Sequence, residues 1–289
     1  MTILHVIILA IVQGLAELLP VSSSAHVVVA EKLMGLDPSS PPMTLLLVML
    51  HTGTMFAVIV YFWRQWRNTY FRTMPAFKHF AWLIILATVL TGIIGEAIQK
   101  IIEKTAFKNE PHAEIESLFS HLELIAPALA AAGILIFLAG VLERRKTITS
   151  LADAPEMTNK QASIIGIVQG LCLPFRGFSR SGATISTGML SGVTKIRAET
   201  FSFALAVVLT PPVVVRESLR LMRAMKAGEA TDLQSSVLMS ALGAVFAFLA
   251  GLVALKWLSQ WLEGGRWYLF GIYCMVAACV VFWLHLQGY

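Results

Sequence analysis

Long apolar runs, separated by short polar connections, dominate this chain. Six runs reach the length a bilayer demands, about 20 predominantly apolar residues: 43–63, 80–98, 123–142, 200–216, 235–257 and 267–285. The fourth is short and carries Pro211-Pro212, which predicts a kink or partial unwinding there. Two further stretches, 2–36 and 161–196, are apolar but broken midway by proline, glycine and serine. Each reads as a helix–loop–helix hairpin that enters the membrane and returns to the same side. Irregular backbone at that depth survives only when buried in protein or lining a wet cavity.

The breaks are related. Ile-Val-Gln-Gly-Leu occurs at Ile11–Leu15 and again at Ile167–Leu171, each time inside an apolar stretch that then meets a proline and a cluster of hydroxyl residues. Recurrence at corresponding points of two halves indicates an internal repeat. The pattern is one hairpin plus three spans, then the same again. Three is odd, so the second half is expected upside down relative to the first. The expected fold is all-α and membrane-integral: six transmembrane helices and two re-entrant hairpins in an inverted-topology repeat. It forms one domain over 1–289, with repeats at about 1–145 and 158–289.

Composition agrees. The chain is 57% hydrophobic and 13% charged over 289 residues, whereas soluble domains carry roughly 25% charged residues. The net charge of +5 is not a nucleic-acid signature, because the basic residues lie in short connections at membrane edges, such as Arg64, Arg67, Arg72 and Lys78, or Arg144-Arg145-Lys146. Those two clusters fall on one side, which the positive-inside rule makes cytoplasmic. Arg216, Arg220, Arg223 and Lys226 pull the other way, and the balance places the N-terminus outside. Trp63, Trp66, Trp82, Trp257, Trp261 and Trp267 lie beside the ends of apolar runs, where an interfacial aromatic belt belongs. The apolar N-terminus lacks a basic leader and a small-residue cleavage signal, so it is expected to be retained. Cys172, Cys274 and Cys279 have no metal-type spacing.

The hairpins hold the chemistry. Gln13 and Glu17 are four apart and share a helix face, and a carboxylate inside a membrane segment is a functional candidate by default. Pro20 ends that helix, and Ser22, Ser23 or Ser24 caps the next. A helix N-terminus offers free N–H groups and positive dipole to an anion. His26 follows in the first turn, completing the parts of a nucleophile-and-base arrangement. The second hairpin adds Ser179-Arg180-Ser181-Gly182-Ala183-Thr184 after a turn at Gly177. Arg180 brings planar, bidentate donors that match phosphate oxygens. Taken together, the two tips suit an anionic substrate with a phosphorus centre.

Gln13 to His26 and Gly177 to Thr184, with the span pattern, resemble the undecaprenyl-pyrophosphate phosphatase family of the bacitracin-resistance type, over nearly the whole chain. The resemblance implies a phosphatase of the bacterial inner membrane that hydrolyses undecaprenyl pyrophosphate to the monophosphate with a divalent cation, Mg2+ or Ca2+. It matches Glu17 to the essential carboxylate, Ser23 to the nucleophile, His26 to the histidine of the first motif and Arg180 to the phosphate-binding arginine. Ser22, Ser24, Ser179, Ser181 and Thr184 match substrate-binding hydroxyls, and Glu17 with Gln13 the cation ligands. The expected partners are the lipid substrate, membrane lipids and a second copy in a homodimer, with the active site facing the periplasm. The family often has glutamate where this chain has Gln13, and its Pro-Gly turn is replaced by Pro174-Phe175-Arg176-Gly177. A transporter of an isoprenyl phosphate lipid is the alternative from another class.

Overall fold

The computed structural model describes residues 2–36, 41–106, 122–142, 151, 153–226 and 233–288. Among them the regular structure is entirely helical. The order is α1 (Ile3–Leu18), α2 (Ser23–Leu33), α3 (Pro41–Thr69), α4 (Met74–Ala106), α5 (Leu122–Leu142), α6 (Asn159–Cys172), α7 (Arg180–Leu190), α8 (Lys195–Lys226), α9 (Leu233–Glu263) and α10 (Trp267–Leu286). Six helices are long and apolar enough to cross a membrane: Met43–Thr69, Met74–Ile102, Leu122–Leu142, Lys195–Arg216, Ser236–Glu263 and Trp267–Leu286. Two short helices followed by three long ones, twice over, is the order the sequence pattern predicts.

The helices outrun the apolar stretches that predict them. Arg64 and Arg67 lie on α3 and Lys78 on α4, so the expected connection 64–79 shrinks to 70–73. Arginine and lysine are good helix formers and keep their charge in water on long stems, so the helix continues past the membrane edge. Of the kink or partial unwinding expected in the fourth span, the unwinding does not occur: α8 runs through Pro211-Pro212 as one helix. The polar connections at 107–121 and 143–150 lie outside the described residues.

The chain forms two compact units, each drawn from both halves of the sequence: 1–19, 23–63 and 206–258 in one, and 20–22, 64–205 and 259–289 in the other. In the first, Val6, Leu9 and Ala10 of α1 pack with Val27 of α2, Met43, Leu46 and Leu50 of α3 and Ala247 of α9. Gly14 lets α1 lie directly on α9, for a Cβ there would meet Ala250 Cβ at 2.6 Å and Ala247 O at 2.7 Å. In the second unit the same pentapeptide does the same work against α4. A Cβ on Gly170 would stand 2.8 Å from Thr91 O and 2.8 Å from Ile94 Cβ. Polar groups lock this second contact. Thr91 Oγ1 lies 2.8 Å from Ala87 O and 2.9 Å from Gly166 O, and it accepts from Gln169 Nε2 at 3.0 Å. Each copy therefore seats a short helix on the middle long helix of the opposite half.

Two of the six tryptophans depart from the interfacial belt. Trp63, Trp82, Trp257 and Trp261 are exposed, but Trp66 and Trp267 are buried. The Trp267 indole N–H donates to Ser186 Oγ at 3.0 Å, so this ring is a core side chain tying α10 to α7. Also in the second unit, the Arg197 guanidinium donates to Leu151 O at 3.2 Å and Ala154 O at 2.6 Å, which fastens the start of the segment leading to α6. Tyr70 stacks on Phe80 with centroids 3.8 Å apart, and burial pushes its phenol above the ordinary value.

Candidate active site

Backbone chemistry fixes the first break. Leu19 precedes Pro20 and adopts φ −78°, ψ 151°, the extended conformation that a following proline enforces, so α1 stops at Leu18. Ser22 then takes φ 69°, a left-handed conformation uncommon outside glycine and found disproportionately at functional sites. That turn starts α2 at Ser23 and folds the serine back toward α1. Ser23 is therefore the first helical residue rather than a cap.

Three of the residues singled out in the sequence converge here. Ser23 Oγ donates to Glu17 Oε2 at 2.5 Å, and the Gln13 amide donates to the same oxygen at 3.2 Å. Glu17, the essential carboxylate of the family resemblance, is thus in direct contact with the serine hydroxyl. His26 sits three residues beyond Ser23, on the same face of α2 and half-buried. Ser22 is buried and Ser24 half-buried at the same turn.

The structure adds a residue that sequence reading passed over. His51 of α3 places Nε2 3.7 Å from Glu17 Oε2, while its Nδ1 lies 2.8 Å from Leu47 O. A lone histidine in an apolar run is the signal that was available. Glu31, fully buried on α2, and Glu199, buried on α8 and accepting from Ser259 Oγ at 2.7 Å, are further carboxylates not weighed in the sequence.

The second motif, in the other unit, forms a capped helix start. Gly177 has φ +100°, and a Cβ there would meet Ile125 O at 2.5 Å, so the turn needs glycine on both counts. Ser179 is the N-cap of α7, its Oγ accepting from Gly182 N at 3.2 Å. Arg180 is the first helical residue, where the helix dipole is positive. Ser181 is buried. Thr184 is fully buried and spends its hydroxyl on Arg180 O at 2.8 Å and Ser202 Oγ at 2.6 Å. In this geometry Ser179 and Thr184 shape the helix that carries Arg180.

A divalent cation can be weighed against these donors. Among the described residues no three His, Cys, Asp or Glu side chains gather into a metal cluster. Glu17 offers a carboxylate, while Gln13 turns its NH2 toward that carboxylate. A cation of the Mg2+ kind is commonly held by one or two carboxylates and completed by substrate phosphates.

Comparison with known proteins shows the family. Residues 6–280 match the family described as Bacitracin resistance protein BacA. Undecaprenyl-diphosphatase 2 of Acinetobacter baylyi is 58% identical over 97% of both chains. Undecaprenyl-diphosphatase 2 of Burkholderia orbicola is 33% identical over 99% of both, and Undecaprenyl-diphosphatase 1 of Burkholderia pseudomallei is 32% identical over 96% of this chain and 95% of its own. With the Ser23–Glu17 pair set at a turn between two short helices and these full-length likenesses, the chain belongs to the bacitracin resistance protein BacA family.

Proposed function

We propose that this protein is an undecaprenyl-diphosphatase of the bacterial inner membrane. It hydrolyses undecaprenyl pyrophosphate to undecaprenyl phosphate and inorganic phosphate, which recycles the lipid carrier of cell-wall synthesis and confers bacitracin resistance. The observation that carries the mechanism is the Ser23–Glu17 hydrogen bond. Glu17 takes the hydroxyl proton as Ser23 Oγ attacks the terminal phosphorus. The bond to the bridging oxygen breaks, and undecaprenyl phosphate leaves with that electron pair. His26 then activates a water that clears the phosphoserine, releasing inorganic phosphate. Arg180, at the positive end of α7, binds the pyrophosphate oxygens and offsets the charge of the transferring group. A divalent cation held by Glu17 and Gln13 would neutralise the pyrophosphate when bound.

The short helix pairs α1–α2 and α6–α7 act as re-entrant hairpins within an inverted repeat of about 1–145 and 158–289. The repeated pentapeptide, seating each pair on the middle long helix of the other half, supports that reading. The N-terminus lies outside and the first motif opens to the periplasm. Sulfhydryl labelling of intact cells, with Cys279 replaced, checks this orientation. A cysteine at Arg72 is expected to be protected from an impermeant reagent and one within 227–232 labelled; the reverse pattern overturns it.

The activity is tested by phosphate release from undecaprenyl pyrophosphate in detergent, with and without added cation. Cation-dependent release is expected, reduced at least about 100-fold in Arg180→Ala, Ser23→Ala and His26→Ala. Near-normal turnover in Ser23→Ala removes the serine as nucleophile. No release from folded wild-type protein with any cation favours a transporter of the same lipid.

A further inference from the structure

We propose that a cavity beside Arg197, made of residues outside both motifs, binds a phosphate group, carried by an anionic membrane lipid or free as inorganic phosphate. It does not depend on the hydrolysis proposed above.

The charge on Arg197 is the starting point. The side chain is buried, 7% exposed, and a guanidinium keeps its charge in a protein. A full charge is stable inside a fold when an opposite charge meets it. Here the partners are neutral. Nη2 donates to Leu151 O and Ala154 O, Cζ lies 5.8 Å from the centre of the Tyr70 ring, and Nε has no hydrogen-bond partner. Carbonyl dipoles and a ring face offset part of a charge rather than all of it. The ion pairs among the described residues do not include this guanidinium.

Arg197 borders a cavity of about 220 Å3 between the end of α3, the start of α4, the segment before α6 and the start of α8, all within the second unit. Arg72, exposed on the α3–α4 connection, brings a second positive charge to the lining. Glu156 is the one acid there, and it is exposed to solvent. Phe80, Leu83 and Phe201 make an apolar wall. These three stand near the starts of the spans Met74–Ile102 and Lys195–Arg216, at the depth of lipid headgroups. Basic pockets at such ends of membrane helices take anionic headgroups, and the arginine fork matches phosphate oxygens. The volume is small beside the roughly 300–1,000 Å3 of pockets for organic ligands, and suits a headgroup.

Delipidated, full-length Arg180→Ala protein in detergent separates this cavity from phosphate binding at the second motif. Native mass spectrometry is run with phosphatidylglycerol, phosphatidylcholine or inorganic phosphate. One phosphatidylglycerol is expected to stay bound, with affinity falling at least about tenfold in Arg72→Ala and in Ala76→Trp. The tryptophan fills the cavity from α4 and leaves the Arg197 side chain unsubstituted, since Arg197 also fastens residues 151 and 154. Lys160→Ala, an exposed cation outside the lining, should bind as before. Arg72 lies on the surface, so its variant carries the test should Ala76→Trp melt early. Inorganic phosphate bound in place of lipid, and weakened by the same substitutions, identifies the free ion as the occupant. Phosphatidylcholine held as tightly as phosphatidylglycerol, or phosphate-group binding that neither folded variant moves, overturns the proposal.

Discussion

Glu17→Gln is expected to lower kcat/KM for phosphate release by about 1,000-fold, while the protein stays folded. The substitution keeps the shape of the side chain and leaves one oxygen to accept from Ser23. What it removes is a group able to take the proton, and general-base contributions run to about 100–10,000-fold. It also removes the carboxylate in contact with both Ser23 and Gln13. A thousandfold loss corresponds to about 4 kcal/mol at the transition state. Initial rates of phosphate release, with helical content checked by circular dichroism, decide the matter. Activity within tenfold of wild type would mean that Ser23 loses its proton elsewhere or is not the attacking group.

Gly166→Leu is expected to have the largest effect on stability and none through the chemistry. A Cβ at this position would lie 2.5 Å from Ala87 O and 2.7 Å from Ala87 Cα. Both are backbone atoms of α4 and cannot rotate aside. Forcing α6 away also strips Gly166 O from Thr91 and strains the Gln169–Thr91 hydrogen bond, with all three groups buried. Overpacking and the lost polar contacts together cost on the order of 3 kcal/mol or more. Gly92, one residue beyond Thr91 on α4, has nothing within 4 Å of an added Cβ, so Gly92→Leu should melt close to wild type. Thermal unfolding of the three proteins in one detergent separates these cases. Equal melting temperatures for the two variants would show that α4 and α6 do not need their close approach.

Much of this was legible in the residue pattern, and what was not has particular causes. The six long helices follow from apolar runs, since a bilayer sets their length. Their ends do not, because arginine and lysine extend a helix as readily as leucine. The pairing of Ser23 with Glu17 required the turn at Leu19–Ser22, and only Pro20 announced it; no rule of composition places Ser22 at positive φ. Thr184 was matched to a binding hydroxyl through the family motif, yet threonine inside a helix can return its proton to the preceding turn, and Ser202 meets it from the next helix, α8. His51 was invisible for a related reason. It is separated from Glu17 by 34 positions, and nothing local marks one histidine in an apolar span as facing a carboxylate.

The two copies of the pentapeptide end in different employments. Both glycines keep a helix against its neighbour, but the glutamines have parted company: Gln169 is bound to a threonine within the packing, and Gln13 reaches a carboxylate. A segment present twice can hold the scaffold with both copies and free one for chemistry. Selection on such a molecule is lopsided. Random substitution at position 169 should be filtered by whether the chain folds, and at position 13 by whether it turns over. Sequence drift at the two glutamines would then record two separate histories.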